Sequence, residues 1–483
     1  MATGEALCNN VQSTVSVTRR SYQVVIAATR DMGLGMDMKL PWDLPMEYEF
    51  FQGVTTKTSD PKKRNATIMG RKTWDSTPLE FRPLLGRLNV VLTSSSCLDI
   101  GADDNVLVCS TMESALELLA TAPYSLSIET VFVIGGGELL RNYMNAPDCE
   151  AIHLTEIDIS VPCDAFAPRV DTSLYHPWYS SFPRMENGTR YSFNTYVRRK
   201  NHIFGSGEKK SVVGSDFKQY YSFLPKMVFE RHEEFGYLNL VQNIISTGDM
   251  NDNTTLSKFG CQMRFNLRKT FPLLTTKKVF WLGVVEETLQ LISGSTNPKE
   301  KGNNHIWDSD EAKEYINSFR ENATEEEVDN PLQWRNSDSS KEFNQLSDVI
   351  NKIKNNPHKQ KIMLSTYNLK LSVSPCQTVA QFYVANGELS CQIYQNSTEA
   401  SLEIPFSIAA YSLLTCIIAH VCDLVAGDFI HVIGQANINK THVQNIQKQL
   451  QISPIPFPIL KINPQKKKID DNFEASDLEL LKI

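Results

Sequence analysis

The sequence lacks the features that would place the protein in a membrane, on nucleic acid or around a metal ion. No uncharged apolar run reaches the roughly 18 residues of a membrane-spanning helix. The net charge of −7 opposes binding to phosphate backbones and to anionic lipid surfaces. The 10 cysteines include no CxxC pair and no histidine at zinc-finger spacing. We therefore expect reduced thiols, no metal site, and neither a membrane nor a nucleic acid as partner.

A secretory signal is also missing, because the segment up to Arg20 contains no apolar core of about 7 to 15 residues. Arg19 and Arg20 leave a transit peptide as an alternative, whereas Glu5 argues against one. The most apolar segment, SLLTCIIAHVCDLVAG, fits a buried helix better than a membrane span. We expect a soluble intracellular protein, cytoplasmic rather than organellar, with an organelle left open.

Length and composition predict two folded domains. A chain of 483 residues exceeds one ordinary hydrophobic core, and its 41% hydrophobic and 21% charged residues are typical of globular proteins. Residues 20–200 alternate short β-rich runs, among them YQVVIAAT and TVFVIGG, with helical stretches such as MESALELLATA. This alternation predicts an α/β domain with a mixed, largely parallel twisted sheet and flanking helices.

The second half of the chain has a different pattern. Residues 201–223 are rich in Gly, Ser, Lys and Asp without periodicity, which predicts a linker. Residues 224–483 combine helical segments such as HEEFGYLNLVQNIIS with strands such as FIHVIG, which predicts an α+β domain. Within this domain residues 303–340 are polar and acidic with a weak core signal, so we expect them to be exposed.

The first domain contains a candidate proton donor. After the strand YQVVIAAT, Gly33 and Gly35 form a flexible loop, and Glu47 opens an amphipathic helix. A carboxyl group beside Trp42 and Phe51 would be partly desolvated, which raises its pKa and suits a proton donor. A lone helical glutamate is more often solvated, so this interpretation depends on the segments that follow.

Three further segments indicate a nucleotide and a carboxylate ligand. In IMGRKTWDS, Arg71 and Lys72 stand at a helix start, where they can meet phosphates. In RPLLGRLNVVLTSSS, Arg87 is placed for a carboxylate. In VFVIGGGELLRNYM, the glycines at 135–137 let the backbone approach a pyrophosphate. Three glycines alone are weak evidence, and they are not the GxGxxG of a dinucleotide turn.

Together and in this order, these segments closely resemble dihydrofolate reductase over about residues 20–200. The resemblance implies hydride transfer from NADPH to dihydrofolate. It implies that Glu47 assists protonation of the pterin N5, and that Thr155 hydrogen-bonds this carboxylate directly or through a water. It also implies a cis peptide bond between Gly135 and Gly136.

The same resemblance assigns the binding residues. The folate would be contacted by Val25, Ile26, Ala27, Glu47, Phe51, Arg87 and Thr155. The cofactor would be bound by Ala27, Gly33, Leu34, Gly35, Met36, Asp37, Met38, Lys39, Arg71, Lys72, Thr73, Thr93, Ser94, Ser95, Gly135, Gly136, Gly137 and Glu138. The positive charges of Arg71 and Lys72 favour NADPH over NADH. Arg87 would donate two hydrogen bonds to the carboxylate of the glutamate tail.

Two positions depart from the reductase pattern. Met36 lies in the loop over the nicotinamide, where a polar or charged residue is commoner, and Leu85 replaces the usual Pro of RPLPGR. Leu85 frees one backbone φ near Arg87, a loosening of about 0.5 to 1 kcal/mol. Neither change removes a chemical group, so we expect a competent or weakened reductase.

The second domain contains a candidate nucleophile, Cys376 in SPCQTVAQFY, followed by the uncharged Gln377. A free thiol with a pKa of about 8.5 needs a cation or a base to become a thiolate at neutral pH. An isolated cysteine is more often a buried structural residue. The segments around it, over about residues 226–475, closely resemble thymidylate synthase, in the single-chain reductase-synthase arrangement of plants and protozoa.

The synthase family adds a cysteine thiolate to C6 of dUMP and transfers one carbon from methylenetetrahydrofolate. Cys376, Glu287 and Trp307 match retained positions. The departures fall on nucleotide binding: Asn396 replaces the arginine that grips phosphate, and Glu403 stands where glycine leaves room for substrate. The remnant dUMP-binding positions are Gln360, Lys361, Gln395, Asn396, Ser397, Ser407, Asn437 and Asn439.

The replaced residues explain why we expect no synthase activity. Gln360 and Lys361 replace an arginine pair that reaches the partner's nucleotide across the dimer interface, and Ser407 replaces the asparagine that reads the uracil edge. Asn437 and Asn439 replace the histidine and tyrosine that hold the ribose. Each lost charge-assisted hydrogen bond is worth about 1.5 to 3 kcal/mol, so three or four amount to about 5 to 10 kcal/mol.

Two functions stay open. The first is an NADPH-dependent dihydrofolate reductase of folate and dTMP biosynthesis, homodimeric through an inactive synthase-like domain. The alternative is a regulatory pseudoenzyme that heterodimerises with an active reductase-synthase and inhibits it. In such a heterodimer Gln360 and Lys361 would enter the partner's dUMP site in place of two arginines.

Overall fold

The computed structural model describes residues 20–94, 103–199, 221, 223–250, 254–293, 345–358, 361–365, 378–469 and 473–482. The chain divides into two compact units between Asp171 and Thr172. The predicted linker, apart from Tyr221 and Phe223, and the acidic stretch 303–340 lie outside the described residues. Both therefore stay predictions.

The first unit is built on a parallel sheet. Its strands are β1 (Tyr22–Thr29), β2 (Gly33–Gly35), β3 (Arg64–Gly70), β4 (Arg87–Leu92), β5 (Val106–Cys109), β6 (Ile128–Gly135), β7 (Cys149–Ile157) and β8 (Ala165–Phe166). Six of them lie in the order β7-β1-β6-β3-β4-β5, and all these pairings are parallel. β1 is buried along almost its whole length, as a central parallel strand covered on both faces should be.

The helices of the first unit connect these strands. They are α1 (Pro45–Thr56), α2 (Arg71–Ser76), α3 (Met112–Ala120), α4 (Tyr124–Ser127) and α5 (Gly137–Tyr143). Proline at the first position of α1 has a fixed φ that suits a helix start. Thr111 and Ser114 form a capping box at the beginning of α3, which satisfies backbone donors that have no partner within the helix.

The second unit begins with three antiparallel strands and continues into an α+β fold. Its strands are β9 (Tyr175–Ser180), β10 (Arg184–Glu186), β11 (Thr189–Arg198), β12 (Asp249–Met250), β13 (Thr255–Asn266), β14 (Met363–Ser365), β15 (Thr378–Ala385), β16 (Glu388–Glu399), β17 (Val425–Asn439), β18 (Ile459–Ile462) and β19 (Leu478–Leu481). β9 and β10 both pair with β11. The parallel pairs among β1, β3, β4, β5, β6 and β7, together with the antiparallel pairs of β9 and β10 with β11, give the mixed character that was predicted.

A six-stranded sheet in the order β12-β13-β17-β16-β15-β14 forms the centre of the second unit. Only β16 and β17 run parallel within it. The sequence periodicity does not mark β13, because Phe259 is exposed and Gly260 adopts a positive φ in the middle of the strand. Backbone pairing with β17 along its length, rather than alternation of side chains, defines this strand.

The described helices of the second unit are α6 (Lys226–Phe229), α7 (Glu234–Thr247), α8 (Trp281–Ser293), α9 (Gln345–Asn355), α10 (Glu403–Val421) and α11 (Val443–Gln449). α10 alone among the described helices is long and apolar enough to cross a membrane, yet 83% of its apolar window is buried inside the protein. It packs against β16, β17 and α8. The segment SLLTCIIAHVCDLVAG thus contributes a core helix, as predicted.

Candidate active site

The first unit brings the predicted proton donor to its predicted partner. α1 begins at Pro45 and so places Glu47 in its first turn. In the pairing of β1 with β7, Ala27 lies opposite Thr155. The Thr155 side chain, only 1% exposed, hydrogen-bonds the Glu47 carboxylate. Residues from three distant segments of the chain therefore meet at one carboxyl group.

The environment of Glu47 suits proton transfer at neutral pH. Burial raises the pKa of Glu47 to about 7, and the hydrogen bond from Thr155 opposes this rise. A carboxyl group with this pKa is about half protonated at pH 7, so it both gives up and regains a proton under working conditions. The raised pKa expected from the sequence is confirmed.

A buried donor of the first unit has no partner among the described residues. Trp42 Nε1 is buried, and no residue that the structure describes accepts its hydrogen bond. Buried polar groups are nearly always paired, so an orphaned N–H marks a place where a ligand atom or a water completes the site.

The predicted folate residues form an apolar wall with one cation. Val25 and Ile26 are buried on β1, and Phe51 is partly buried on α1. Arg87, 4% exposed at the start of β4, donates from Nη1 to Thr55 Oγ1 at 2.7 Å, and its guanidinium carbon lies 5.6 Å from the centre of the Phe51 ring. The guanidinium is thereby held along an aromatic face. Binding of a substrate carboxylate by two hydrogen bonds from Arg87 stays a prediction.

The predicted cofactor residues collect at one edge of the parallel sheet. Gly70 at the end of β3 lies opposite Leu92 of β4, and Met69 lies opposite Gly135 of β6. Because the carboxyl ends of parallel strands share an edge, α2 and α5 begin side by side. Thr93 and Ser94 follow β4 at this edge, and Ser95 lies outside the described residues.

Two of the three glycines at this edge leave little room for a side chain, and Gly135 adopts a φ of 132°, which other residues rarely adopt. The peptide bond between Gly135 and Gly136 is cis, as the resemblance implies. A Cβ on Gly136 would lie 3.1 Å from Thr73 Oγ1, and a Cβ on Gly137 would lie 2.8 Å from the Phe166 carbonyl oxygen. Close contacts within the protein therefore favour glycine at 136 and 137, and the approach of this backbone to a bound diphosphate stays a prediction.

The charged side chains at the cofactor edge are accessible. Arg71 and Lys72 are exposed in the first turn of α2, and Arg71 Nε donates to Asp75 Oδ2 at 2.7 Å. Glu138 lies in the first turn of α5. The edge thus combines backbone donors with two cations, and these residues fit the phosphates of NADPH.

The glycine-containing loop is fastened by a residue that the sequence pattern does not reveal. β2, from Gly33 through Leu34 to Gly35, pairs with β8, and Met36 exchanges two backbone hydrogen bonds with Lys39. The Asp37 amide donates to Asp164 Oδ2 at 3.0 Å, and both Asp37 and Met38 adopt positive φ. Met36 is 39% exposed, so this methionine stands at the surface of the loop. Asp164 lies 127 residues away from its partner, and no local signal marks it.

In the second unit, the positions predicted to be the remnant of a dUMP site bind one another. Gln395, 1% exposed, donates from Nε2 to Ser407 Oγ at 3.1 Å, and its Oε1 lies 2.6 Å from His431 Nε2. Burial lowers the pKa of His431 to about 3, so the imidazole is neutral and donates to the amide oxygen. Asn437 Nδ2 donates to Ser397 Oγ at 2.9 Å.

The glutamate at the substrate position is held within this region. Thr398 Oγ1 donates to Glu403 Oε2 at 2.7 Å, and the Glu399 amide donates to the same oxygen at 2.9 Å. Asn396, the predicted replacement of a phosphate-binding arginine, is exposed. Asn439 Oδ1 accepts hydrogen bonds from the amide and the hydroxyl of Thr441.

Other predicted residues of the second site are partly outside the described chain. Lys361 is exposed. Glu287 lies on α8, and burial raises its pKa to about 7. Cys376, Gln360 and Trp307 are outside the described residues, so the roles predicted for them stay predictions.

Comparison with known proteins matches both halves of the chain. Residues 21–198 match the family model of dihydrofolate reductase, and residues 235–482 match that of thymidylate synthase. The chain is 54% identical to bifunctional dihydrofolate reductase-thymidylate synthase 2 of Arabidopsis thaliana over 98% of this chain and 89% of the relative. It is 55% identical to form 1 of Arabidopsis thaliana, over 96% of this chain and 94% of the relative. It is 56% identical to the bifunctional dihydrofolate reductase-thymidylate synthase of Glycine max, over 96% of this chain and 93% of the relative.

Proposed function

Because this chain belongs to the family of bifunctional dihydrofolate reductase-thymidylate synthases, we propose that it reduces dihydrofolate with NADPH, while its synthase-like domain no longer methylates dUMP. We call residues 20–200 the reductase domain and residues 224–483 the synthase-like domain, as predicted. The reductases of this family use NADPH as cofactor.

The raised pKa of Glu47 supports the reductase proposal most strongly. NADPH, when bound, supplies a hydride to the pterin ring. Glu47 holds a proton at neutral pH and delivers it toward the pterin N5, while Thr155 keeps the carboxyl group in place. Arg87 binds the glutamate-tail carboxylate, and the orphaned Trp42 Nε1 donates to the substrate or to a water beside it.

The reductase proposal is tested by following NADPH oxidation at 340 nm with dihydrofolate. We expect turnover by the purified full-length chain. Absence of turnover in a preparation whose thermal unfolding is cooperative would contradict the proposal. A titration of NADPH in the same preparation separates a failure of cofactor binding from a failure of the proton-transfer residues.

The loss of synthase activity is supported by the closed network around Gln395 and Glu403. A dUMP phosphate needs cationic partners, yet Asn396 offers none and Glu403 adds a carboxylate to the same segment. Ser407 is already paired with Gln395. We expect no dTMP from dUMP and methylenetetrahydrofolate. Formation of dTMP that disappears in Cys376→Ser would overturn this part of the proposal.

The outer face of the six-stranded sheet favours self-association through the synthase-like domain. Tyr383 on β15 is 68% exposed and Tyr394 on β16 is 43% exposed, and the register places Tyr394 beside Val432 and Val379. Exposed aromatic and aliphatic side chains on one sheet face typically mark an association surface. We propose a homodimer through this face, to be checked by the molar mass of the full-length chain in solution.

The same face supports a second candidate function, a regulatory subunit that pairs with an active relative. Lys361 is exposed, and in the family this position reaches the partner's nucleotide. A mixed dimer would therefore impair the partner's site as well. Co-expression with an active relative, with synthase rate measured against mixing ratio, tests this function. A linear fall that follows the heterodimer fraction supports it, and absence of association contradicts it.

A further inference from the structure

The last three strands of the reductase domain lie in the same compact unit as the synthase-like domain. The reductase family model extends to residue 198 and so includes β9, β10 and β11. The second compact unit nevertheless begins at Thr172. We call these three strands the C-terminal reductase strands. Three sets of contacts join them to the synthase-like domain.

The first set of contacts is an aromatic cluster around Trp178 of β9. The indole, only 3% exposed, stacks on Phe229 with ring centres 5.4 Å apart. Its centre lies 5.0 Å from the ring centre of His232, and its Nε1 donates to the Val228 carbonyl at 3.3 Å. Burial lowers the pKa of His232 to about 3, so the imidazole packs here as a neutral ring. A buried tryptophan of this kind removes a large apolar area from water.

The second set is a pair of hydrogen bonds from one buried amide. Asn266, at the end of β13 and 2% exposed, donates from Nδ2 to the carbonyls of Ser180 and Ser181, each at 3.0 Å. Its Oδ1 accepts a hydrogen bond from the Arg268 amide at 3.0 Å, which fixes the orientation of the side chain. These two carbonyls stand at the end of β9, where the chain turns toward β10. One synthase-like residue thus satisfies backbone groups of a reductase strand.

The third set is a chain of ion pairs. Arg190 of β11 pairs with Glu388 at 2.7 Å, and Arg268 Nη2 donates to the same carboxylate at 2.7 Å. Arg268 continues the chain to Asp428 at 2.6 Å. The side chains of Glu388 and Arg268 are each 15% exposed, so solvent screens these pairs less than it screens ordinary surface pairs. Both acidic residues belong to the central sheet of the synthase-like domain.

We propose that the synthase-like domain is a structural subunit of the reductase, which binds the C-terminal reductase strands and keeps them folded. This role goes beyond the proposed function, because it holds whether or not dUMP is methylated. It also explains why a chain that has lost synthase chemistry would keep the complete synthase-like core. Residues of the synthase-like domain are then needed for the stability of the reductase.

The full-length variant Asn266→Ala tests the proposal by hydrogen exchange. Removing both hydrogen bonds to the strand end should raise the exchange rates of amides in residues 175–198 by about tenfold. The midpoint of thermal inactivation of dihydrofolate reduction should fall with it. Asn463→Ala is the matched control, because Asn463 donates to Asp477 within the synthase-like domain. The control should leave exchange in residues 175–198 unchanged.

Exchange in residues 175–198 that is the same in wild type and Asn266→Ala, or raised equally by Asn463→Ala, would overturn the proposal. If Asn266→Ala does not fold, Glu388→Gln keeps the side-chain shape and removes one charge of the ion-pair chain. It should raise the same exchange rates by about threefold, whereas Asp423→Asn, which breaks an exposed pair with Lys467, should not. Unchanged exchange in Glu388→Gln would then overturn the proposal. Exchange needs no turnover, so a failure of the proposed reductase activity is distinguishable from a failure of this role.

Discussion

The two candidate sites of this chain treat their polar groups in opposite ways. In the reductase domain a buried indole N–H has no partner among the described residues, and Glu47, with a pKa of about 7, both releases and regains a proton at neutral pH. In the synthase-like domain Gln395 pairs with Ser407, and Glu403 accepts two hydrogen bonds from its own segment. The first site contains a buried donor without a partner among the described residues. In the second site the predicted dUMP positions pair with one another, and His431 Nδ1 is the atom of this network that has no partner among the described residues.

Under the proposed function, this difference distinguishes a site that keeps its chemistry from one that has lost it. Leaving a buried polar group unpaired costs about 1 to 3 kcal/mol, so it persists where a ligand repays the cost. Once a ligand is no longer bound, substitutions that pair the remaining groups with one another stabilise the fold. Ser407 and Asn437 are predicted to be such substitutions, and each forms a hydrogen bond with another predicted dUMP position.

The strongest way to break the comparison is to remove the proton donor of the reductase. Glu47→Gln keeps the size of the side chain but cannot release a proton, so kcat should fall about 100- to 1000-fold at pH 7. Affinity for NADPH should stay within about twofold. Steady-state rates at 340 nm and a fluorescence titration of NADPH measure the two quantities.

Glu49→Gln serves as the control for this substitution, because Glu49 is exposed on the same helix. It should leave kcat within about twofold of the wild-type value. A Glu47→Gln variant that reduces dihydrofolate at the wild-type rate would remove Glu47 from the reaction.

The second prediction concerns dUMP binding by the synthase-like domain, which two substitutions should restore in part. Asn396→Arg combined with Glu403→Gly restores one cation and removes one carboxylate, so dUMP should bind about 10- to 100-fold more tightly than to the wild type. Either substitution alone should do less, because the other obstacle remains. Equilibrium dialysis with labelled dUMP measures the affinities.

An exposed asparagine elsewhere in the synthase-like domain controls for added charge. Asn356→Arg should not change dUMP binding, because Asn356 follows the end of α9 and is not among the remnant positions. Wild-type protein that binds dUMP as tightly as the double variant would show that Asn396 and Glu403 do not weaken dUMP binding.

The third prediction concerns the pH dependence of the reductase. Burial raises the pKa of Glu47 to about 7 and Thr155 opposes the rise, so the protonated donor is present below this pH and is lost above it. Thr155→Val removes the opposing hydrogen bond, and the descending limb of the rate should move to higher pH by up to about one unit. Thr155→Ser, which keeps a hydroxyl, should leave the limb in place. A limb that moves to lower pH in Thr155→Val would show that Thr155 favours the protonated carboxyl group.

The sequence predicts the parts of this comparison that local patterns express. Alternating and continuous apolar runs mark β1, β6 and β7, and three adjacent glycines mark the turn before α5. The apolar residues expected around Glu47 predict that its carboxyl group is desolvated and that its pKa is raised. These predictions hold because strand burial and desolvation depend mainly on neighbouring residue types.

The sequence does not show which polar side chains form hydrogen bonds with residues far away in the chain. Nothing near Asp164 shows that it binds the Asp37 amide, and nothing near Asn266 shows that it binds Ser180 and Ser181. Polar side chains of this kind have many possible partners, and tertiary packing selects one of them. The same holds for the remnant site: the replaced residues are visible in the sequence, but their pairing with one another is not.

The smallest expected effect concerns Leu85, and it tests whether the reductase domain has lost backbone rigidity rather than a chemical group. Leu85 precedes Gly86, whose φ is 75°, so the two occupy the central positions of a turn in which proline is favoured first and glycine second. Leu85→Pro should therefore raise the free energy of unfolding by about 0.5 to 1 kcal/mol. It should lower the KM for dihydrofolate by up to about twofold with kcat unchanged, because Arg87 still donates to the carbonyl of residue 85.

Leu85→Ala removes the same exposed side chain without adding a ring and should give no gain in thermal unfolding measurements. A gain limited to the proline variant would mean that the reductase site has lost only rigidity, whereas a loss of stability in Leu85→Pro would mean that the turn itself has changed. Under the proposed function, one proline ring restores rigidity to the reductase domain, whereas the synthase-like domain needs cations returned to its site. This is the physical difference between the two halves.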